Sequence, residues 1–119
     1  LIKAYRLQEK TAGVGFDWEK KEQVWEKVKE ELQEFEQEVE TQNSQEKIEE
    51  EFGDVLFALI NYARFLKIKP EHALEKTNRK FIKRFQYIEQ IAQEQNKKLQ
   101  EMTLEEMETI WNNAKTMEE

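Results

Sequence analysis

The sequence predicts an all-α protein, a helical bundle of about five helices with a four-helix-bundle-like core, and three observations carry that prediction. There are only 3 Gly and 1 Pro in 119 residues, too few turn formers for a β-rich chain of this size. Glu, Lys, Gln, Leu and Ala are abundant, and all favour helix. Apolar residues recur at spacings of three and four, the period of one helix face. The length suits one domain, residues 1–119. A net charge of -7, from 26 acidic and 19 basic residues, argues against a general nucleic-acid binder, which meets phosphates with Lys and Arg. The absence of Cys excludes a disulfide, a thiol nucleophile and a thiolate metal site, and fits a reducing cytoplasm. No apolar stretch approaches the roughly 20 residues that span a bilayer, and no signal peptide is visible, so no membrane partner is expected.

The first helix is expected from about Ile2 to Thr11, ending at Ala12-Gly13-Val14-Gly15. Two glycines flanking one residue make a joint, because neither Gly-rich nucleotide motif has that spacing. Asp17 is the expected N-cap of the second helix, Lys20 to Glu40. Val24, Val28, Leu32, Phe35 and Val39 form its stripe. Thr41-Gln42-Asn43-Ser44 breaks it, and Ser44 caps a third helix from Gln45 to Leu66. From Phe52 onward this helix is apolar almost all round, so it is expected at the centre or in a subunit interface. Pro70 opens a fourth helix to Glu94, with Leu74, Phe81, Phe85, Ile88 and Ala92 as its stripe. Gln93 to Gln100 is polar and expected to be loosely ordered. Thr103-Leu104-Glu105-Glu106 is a capping box opening a fifth helix with Leu104, Met107, Trp111 and Ala114 on one face.

The chemistry gathers on the second and third helices. At about 100° per residue Glu31 borders the apolar stripe, and Glu34 lies about 60° further round on the same flank. Glu51 and Asp54 line one flank of the third helix, with Ala58 and Asn61. Asp54 stands among Phe52, Gly53, Val55 and Leu56, where a buried carboxylate without a partner is costly. Gly53 costs about 1 kcal/mol in a helix and permits a close backbone approach. Antiparallel neighbours bring the four carboxylates face to face, and a divalent cation offsets their repulsion. Oxygen-only ligands suit Mg²⁺ or Mn²⁺. A single His, His72, leaves too few imidazoles for a bundle di-iron site or a catalytic triad, and makes zinc a poor fit. The other acids, among them Glu22, Glu26, Glu36, Glu38, Glu40, Glu46, Glu49 and Glu50, read as solvated faces. Lys80 and Arg84 share a flank of the fourth helix and suit phosphates, and Lys27, one turn before Glu31, is placed to reach the same phosphates. The ordinary alternative for Lys80 and Arg84 is a solvated basic face. Trp18, Trp111 and Phe65 are candidates to stack on a base, core packing being the alternative.

These residues resemble a known family. Glu30-Glu31-Leu32-Gln33-Glu34 followed by Glu51-Phe52-Gly53-Asp54 is similar to the acidic signature of the all-α nucleoside triphosphate pyrophosphohydrolases. Val14-Gly15-Phe16-Asp17-Trp18, Glu49 to Ala58, Asn61-Tyr62-Ala63-Arg64 and Thr77 to Phe85 extend the likeness to the MazG family, over about residues 8 to 115. The likeness is closest to the C-terminal half of two-domain MazG proteins, and Leu1 in place of Met fits a chain cut from such a protein. The resemblance implies Mg²⁺-dependent hydrolysis of nucleoside triphosphates to monophosphate and pyrophosphate, in nucleotide-pool clean-up, by a tight homodimer. It implies Glu31, Glu34, Glu51 and Asp54 as metal ligands, and Lys27, Glu30, Glu31, Lys80, Arg84 and Trp111 as nucleotide contacts. Glu30 and Glu34 are the candidates for the activating base. Rival readings are a base-specific dUTP or dCTP pyrophosphatase, and a non-catalytic helical interaction or regulatory module.

Overall fold

The computed structural model describes residues 1–41 and 44–118. Among these it has five α-helices, one short 3-10 turn and no strand. The helices are α1 (Ile2–Ala12), α2 (Lys21–Thr41), α3 (Gln45–Phe65), α4 (Pro70–Glu94) and α5 (Leu104–Met117). The chain divides into two compact units, Leu1–Ala73 and Leu74–Glu119.

In the first unit α3 packs against α2 and α1. Val24 and Val28 of α2 meet a core that includes Val55, Ala58 and Ile60 of α3. Each full burial of a valine contributes about 1.5–3 kcal/mol. Two aromatic pairs fix the register: Trp25 with Tyr62 at 5.1 Å and Phe35 with Phe52 at 5.5 Å between ring centroids. An early α2 residue thus meets a late α3 residue and the reverse, so the helices are antiparallel. Ser44 caps α3 by accepting from the Lys47 N–H at 3.2 Å. The expected break at Thr41 to Ser44 falls partly on Gln42 and Asn43, which lie outside the described residues.

Several expectations are corrected. Asp17 does not cap α2; Gln23 Oε1 accepts from the Glu19 and Lys20 N–H groups, each at 3.1 Å, and the helix starts at Lys21. Within one chain α3 is not buried all round. Phe52, Leu56, Leu59 and Leu66 are each about 40% exposed or more, because α1 and α2 cover only part of the helix. A Cβ added at Gly53 meets nothing within 4 Å, so the expected close approach is not made there. The joint after α1 does need its second glycine, since Gly15 has φ +92°.

The second unit holds α4 from Leu74 onward, the 3-10 turn Leu99–Glu101 and α5, and its buried apolar residues include Ile88, Ala92, Met102 and Ala114. The stretch expected to be loose is a defined turn. Asn96 takes a left-handed conformation, and the Lys97 N–H reaches back to the Ala92 carbonyl at 2.9 Å. The capping box is present, with Thr103 and Glu106 each bonding the other's backbone N–H. No helix among the described residues is long and apolar enough to cross a membrane.

Candidate functional site

The antiparallel pairing of α2 and α3 brings acids from both helices together. Glu31, Glu51 and Asp54 each offer a carboxylate oxygen, and the three lie within 4.8 Å of one another. Glu31 is buried, at 7% exposure, since it sits one turn after Val28 on the packed side of α2. Glu51 is half-buried, and Asp54 is the exposed member, although its neighbour Val55 is buried. Glu31 Oε1 meets Lys27 Nζ at 3.0 Å, and Lys27 also lies 3.6 Å from Glu30. The second oxygens of Glu31 and of Glu51 are buried without a hydrogen-bond partner. Buried oxygens rarely stay unpaired, and an anionic pair of them is a seat for a cation.

The electrostatics follow. Burial first, then the charges of Glu34, Asp54, Glu31 and Glu38, push the Glu51 carboxyl above its ordinary value. The charge of Glu31 does the same to Glu34, with burial and Glu30 adding to it. Lys27 is raised, chiefly by its hydrogen bond to Glu31. Glu34 lies near enough to feel the charges of Glu31 and Glu30, and Glu30 pairs with Lys27. The donor set is all oxygen, mostly anionic, and fits a hard divalent ion.

A cleft runs from this cluster. One cavity of about 320 Å³ is lined by Lys27, Glu31, Asp54, Ala58 and, shared with its neighbour, Trp18, Phe57 and Asn61. The neighbouring cavity, about 490 Å³, adds Gln8, Phe16, Asp17 and Arg64. One end therefore gathers carboxylates with Lys27, and the more aromatic end adds amides and the Asp17–Arg64 pair. Phe65, a stacking candidate from the sequence, lies beneath the Arg64 guanidinium at 4.9 Å.

The remaining candidates belong to the second unit. Arg84 lies over the Trp111 ring at 5.4 Å, and Phe81 meets that ring edge-on at 5.2 Å. The Arg84 guanidinium makes a fork to Glu118, its closest bond 2.8 Å from Nη2 to Oε2. That pairing holds the Glu118 carboxyl below its ordinary value, with Lys83 and Lys80 adding to the effect. Lys80 is exposed, as is His72 in the first turn of α4.

A family model described as the MazG nucleotide pyrophosphohydrolase domain matches residues 19–89. The chain belongs to the MazG family. The matched stretch of this MazG chain holds all three clustered carboxylates, Lys27, Lys80 and Arg84. It is similar to the nucleoside triphosphate pyrophosphohydrolase/pyrophosphatase MazG of Thermotoga maritima, 43% identical over 115 residues. That match covers 97% of this chain and 44% of the relative. It is 41% identical over 119 residues to the nucleoside triphosphate pyrophosphohydrolase of Escherichia coli strain K12, covering 99% of this chain and 45% of that protein. A 68-residue stretch is 57% identical to the uncharacterized protein YabN of Bacillus subtilis, 57% of this chain and 14% of that one. The chain thus spans under half the length of the relatives it matches most fully.

Three groups in this MazG site were missed by sequence reasoning: Gln8, Phe16 and Phe57. Gln8 is buried, its Nε2 donates to the Phe57 carbonyl at 3.0 Å, and its Oε1 has no partner. Its signal was present in outline, since Gln8 interrupts the small apolar stripe of Ala4 and Ala12 on α1. Phe57 had no distinguishing signal within a run of apolar residues.

Proposed function

We propose that this chain is a Mg²⁺-dependent nucleoside triphosphate pyrophosphohydrolase that forms nucleoside monophosphate and pyrophosphate and serves nucleotide-pool clean-up in the cytoplasm. The observation that carries this reading is the cluster of Glu31, Glu51 and Asp54, with two buried, unpaired oxygens at one end of an aromatic cleft. The names of the Thermotoga and Escherichia relatives support the same reaction. In this reading Glu31, Glu51 and Asp54 hold the ion, with Glu34 completing the set, and Mn²⁺ substitutes for Mg²⁺. Such an ion supplies charge neutralisation for phosphates and acidifies a bound water.

The chain's own groups do the rest. Lys27, set by Glu31, presents its ammonium to the phosphates at the charged end of the cleft. Trp18, with Phe57 beside it, offers a ring face to the nucleoside, and the amide of Asn61 lies between the two cavities. Lys80, Arg84 and Trp111 are further nucleotide contacts. Glu30 or Glu34 takes the proton of the attacking water. The water oxygen bonds to the α-phosphorus, the bond from that phosphorus to the bridging oxygen breaks, and pyrophosphate leaves. The working unit is a homodimer, supported by the exposed apolar series Phe52, Leu56, Leu59 and Leu66 along α3.

The test is hydrolysis of a nucleotide panel with Mg²⁺ in ¹⁸O-labelled water. Pyrophosphate and a labelled monophosphate are expected. Release of orthophosphate instead refutes attack at the α-phosphorus. Strong preference for one base moves the assignment to a dUTP- or dCTP-type enzyme, and no hydrolysis of any nucleotide moves it to a non-catalytic module.

A further inference from the structure

The segment between α1 and α2 carries Phe16 and Trp18 to the cleft, yet residues 13–20 are all exposed. No buried apolar side chain of the segment fixes its place. Hydrogen bonds hold its ends, the Phe16 N–H to the Thr11 carbonyl at 3.0 Å and the Glu19 and Lys20 N–H groups to Gln23 Oε1, and a carboxylate ties its middle to α3. Asp17 Oδ1 accepts the Trp18 backbone N–H at 2.9 Å and also accepts from Arg64 Nη2, 47 residues away on α3. The same Arg64 nitrogen donates to Asn61 Oδ1 at 2.9 Å. The Arg64 side chain is only 14% exposed, and its Nε is buried without a partner. One chain of charge-assisted bonds therefore links Trp18 and Asn61, the two residues that, with Phe57, line both cavities.

We propose that Asp17 and Arg64 are a positioning pair for the substrate's nucleoside, holding Trp18 in place at the wall between the charged and aromatic ends of the cleft. Neither acts on the reacting phosphorus. The pair lowers the ordering cost of binding, because Trp18 is held before the nucleotide arrives. The rigid guanidinium fork makes Arg64 suited to this, since it bridges two oxygen acceptors at fixed geometry. The inference rests on the nucleotide occupying this cleft.

The experiment compares wild type with Asp17→Ala, Asp17→Asn and Trp18→Ala. It measures steady-state kinetics, calorimetric binding of a non-hydrolysable triphosphate with Mn²⁺, and binding of Mn²⁺ alone. Asp17→Ala is expected to raise KM and weaken analogue binding about ten-fold, as loss of a charge-assisted bond does. Its kcat is expected to stay within about two-fold, because no bond to the reacting atoms is lost. Asp17→Asn falls between, since the amide oxygen still accepts both bonds without the charge. Mn²⁺ alone binds all variants equally, because its ligands lie on α2 and α3. An unchanged KM in Asp17→Ala, a fall in kcat alone, or Mn²⁺ affinity falling in step overturns the positioning role. Analogue affinity unchanged in Trp18→Ala refutes instead the placement of the nucleotide in this cleft.

Discussion

Replacing Glu31 by Gln separates the metal role of this side chain from its packing role. The change is nearly isosteric at a buried position, so the α2–α3 seam keeps its shape. The ion pair with Lys27 is lost, but Lys27 is 39% exposed at its side chain and keeps Glu30 nearby. Lys27 stays solvated when the pair is lost, so no buried charge is left stranded, and the variant sheds one charge from a repulsive cluster. The metal-free melting temperature is therefore expected to move by only a few degrees. With Mn²⁺ at about 100 times its dissociation constant, wild type gains about 2.7 kcal/mol, or about 10 °C for a chain of this length. Gln supplies a neutral oxygen where the cluster supplied an anion. If affinity falls about 100-fold, the same Mn²⁺ concentration stabilises the variant by only about 0.4 kcal/mol, a shift of about 1–2 °C. Differential scanning fluorimetry with and without Mn²⁺ reads both numbers. A full wild-type shift in the variant would show that Glu31 holds no metal, and the reasoning from its buried unpaired oxygen would be wrong.

Val28 is fully buried, so Val28→Ala is expected to destabilise by about 2–3 kcal/mol from lost burial and the cavity left, measured by urea unfolding. Gly53→Ala is expected to stabilise an isolated chain by about 0.5–1 kcal/mol, since a Cβ there meets open space; destabilisation would place another molecule against that face. Glu106 is held below its ordinary value of 4.5, first by Lys97 and then by the Thr103 backbone. Its contribution is complete above that value and fades as pH falls through the lower folded value. Melting scans between about pH 6 and pH 3 should therefore show a shallower acid loss in Glu106→Gln than in wild type. Glu30→Gln and Glu34→Gln are compared in kcat at saturating Mg²⁺. The base is the position whose loss lowers kcat by about 10²–10⁴-fold while analogue binding persists.

The helices were legible because their signals are local. Val24, Val28, Leu32, Phe35 and Val39 repeat at helical spacing, Pro70 and Ser44 mark starts, and Thr103 with Glu106 spells its own cap. The acidic set was legible because like charges three and four apart on a helix are costly without a counter-charge. Burial was less so. Asp54 sits among apolar residues in sequence yet is exposed, while Glu31 in an acidic run is buried, because burial depends on what the opposing helix covers. The cap of α2 was assigned to Asp17, but Asp17 is engaged by Arg64, 47 residues away, and the approach to the helix is held instead by Gln23 accepting from the Glu19 and Lys20 N–H groups. A pattern of period 3.6 determines which residues share a face, and that much this sequence settled by itself. The meeting of Glu31 with Glu51 and Asp54 followed from those faces and a short antiparallel turn, but which acid is buried, and the joining of Trp18 to α3 through Asp17 and Arg64, were decided only by tertiary packing, because contacts between residues far apart in the chain leave no trace in local periodicity.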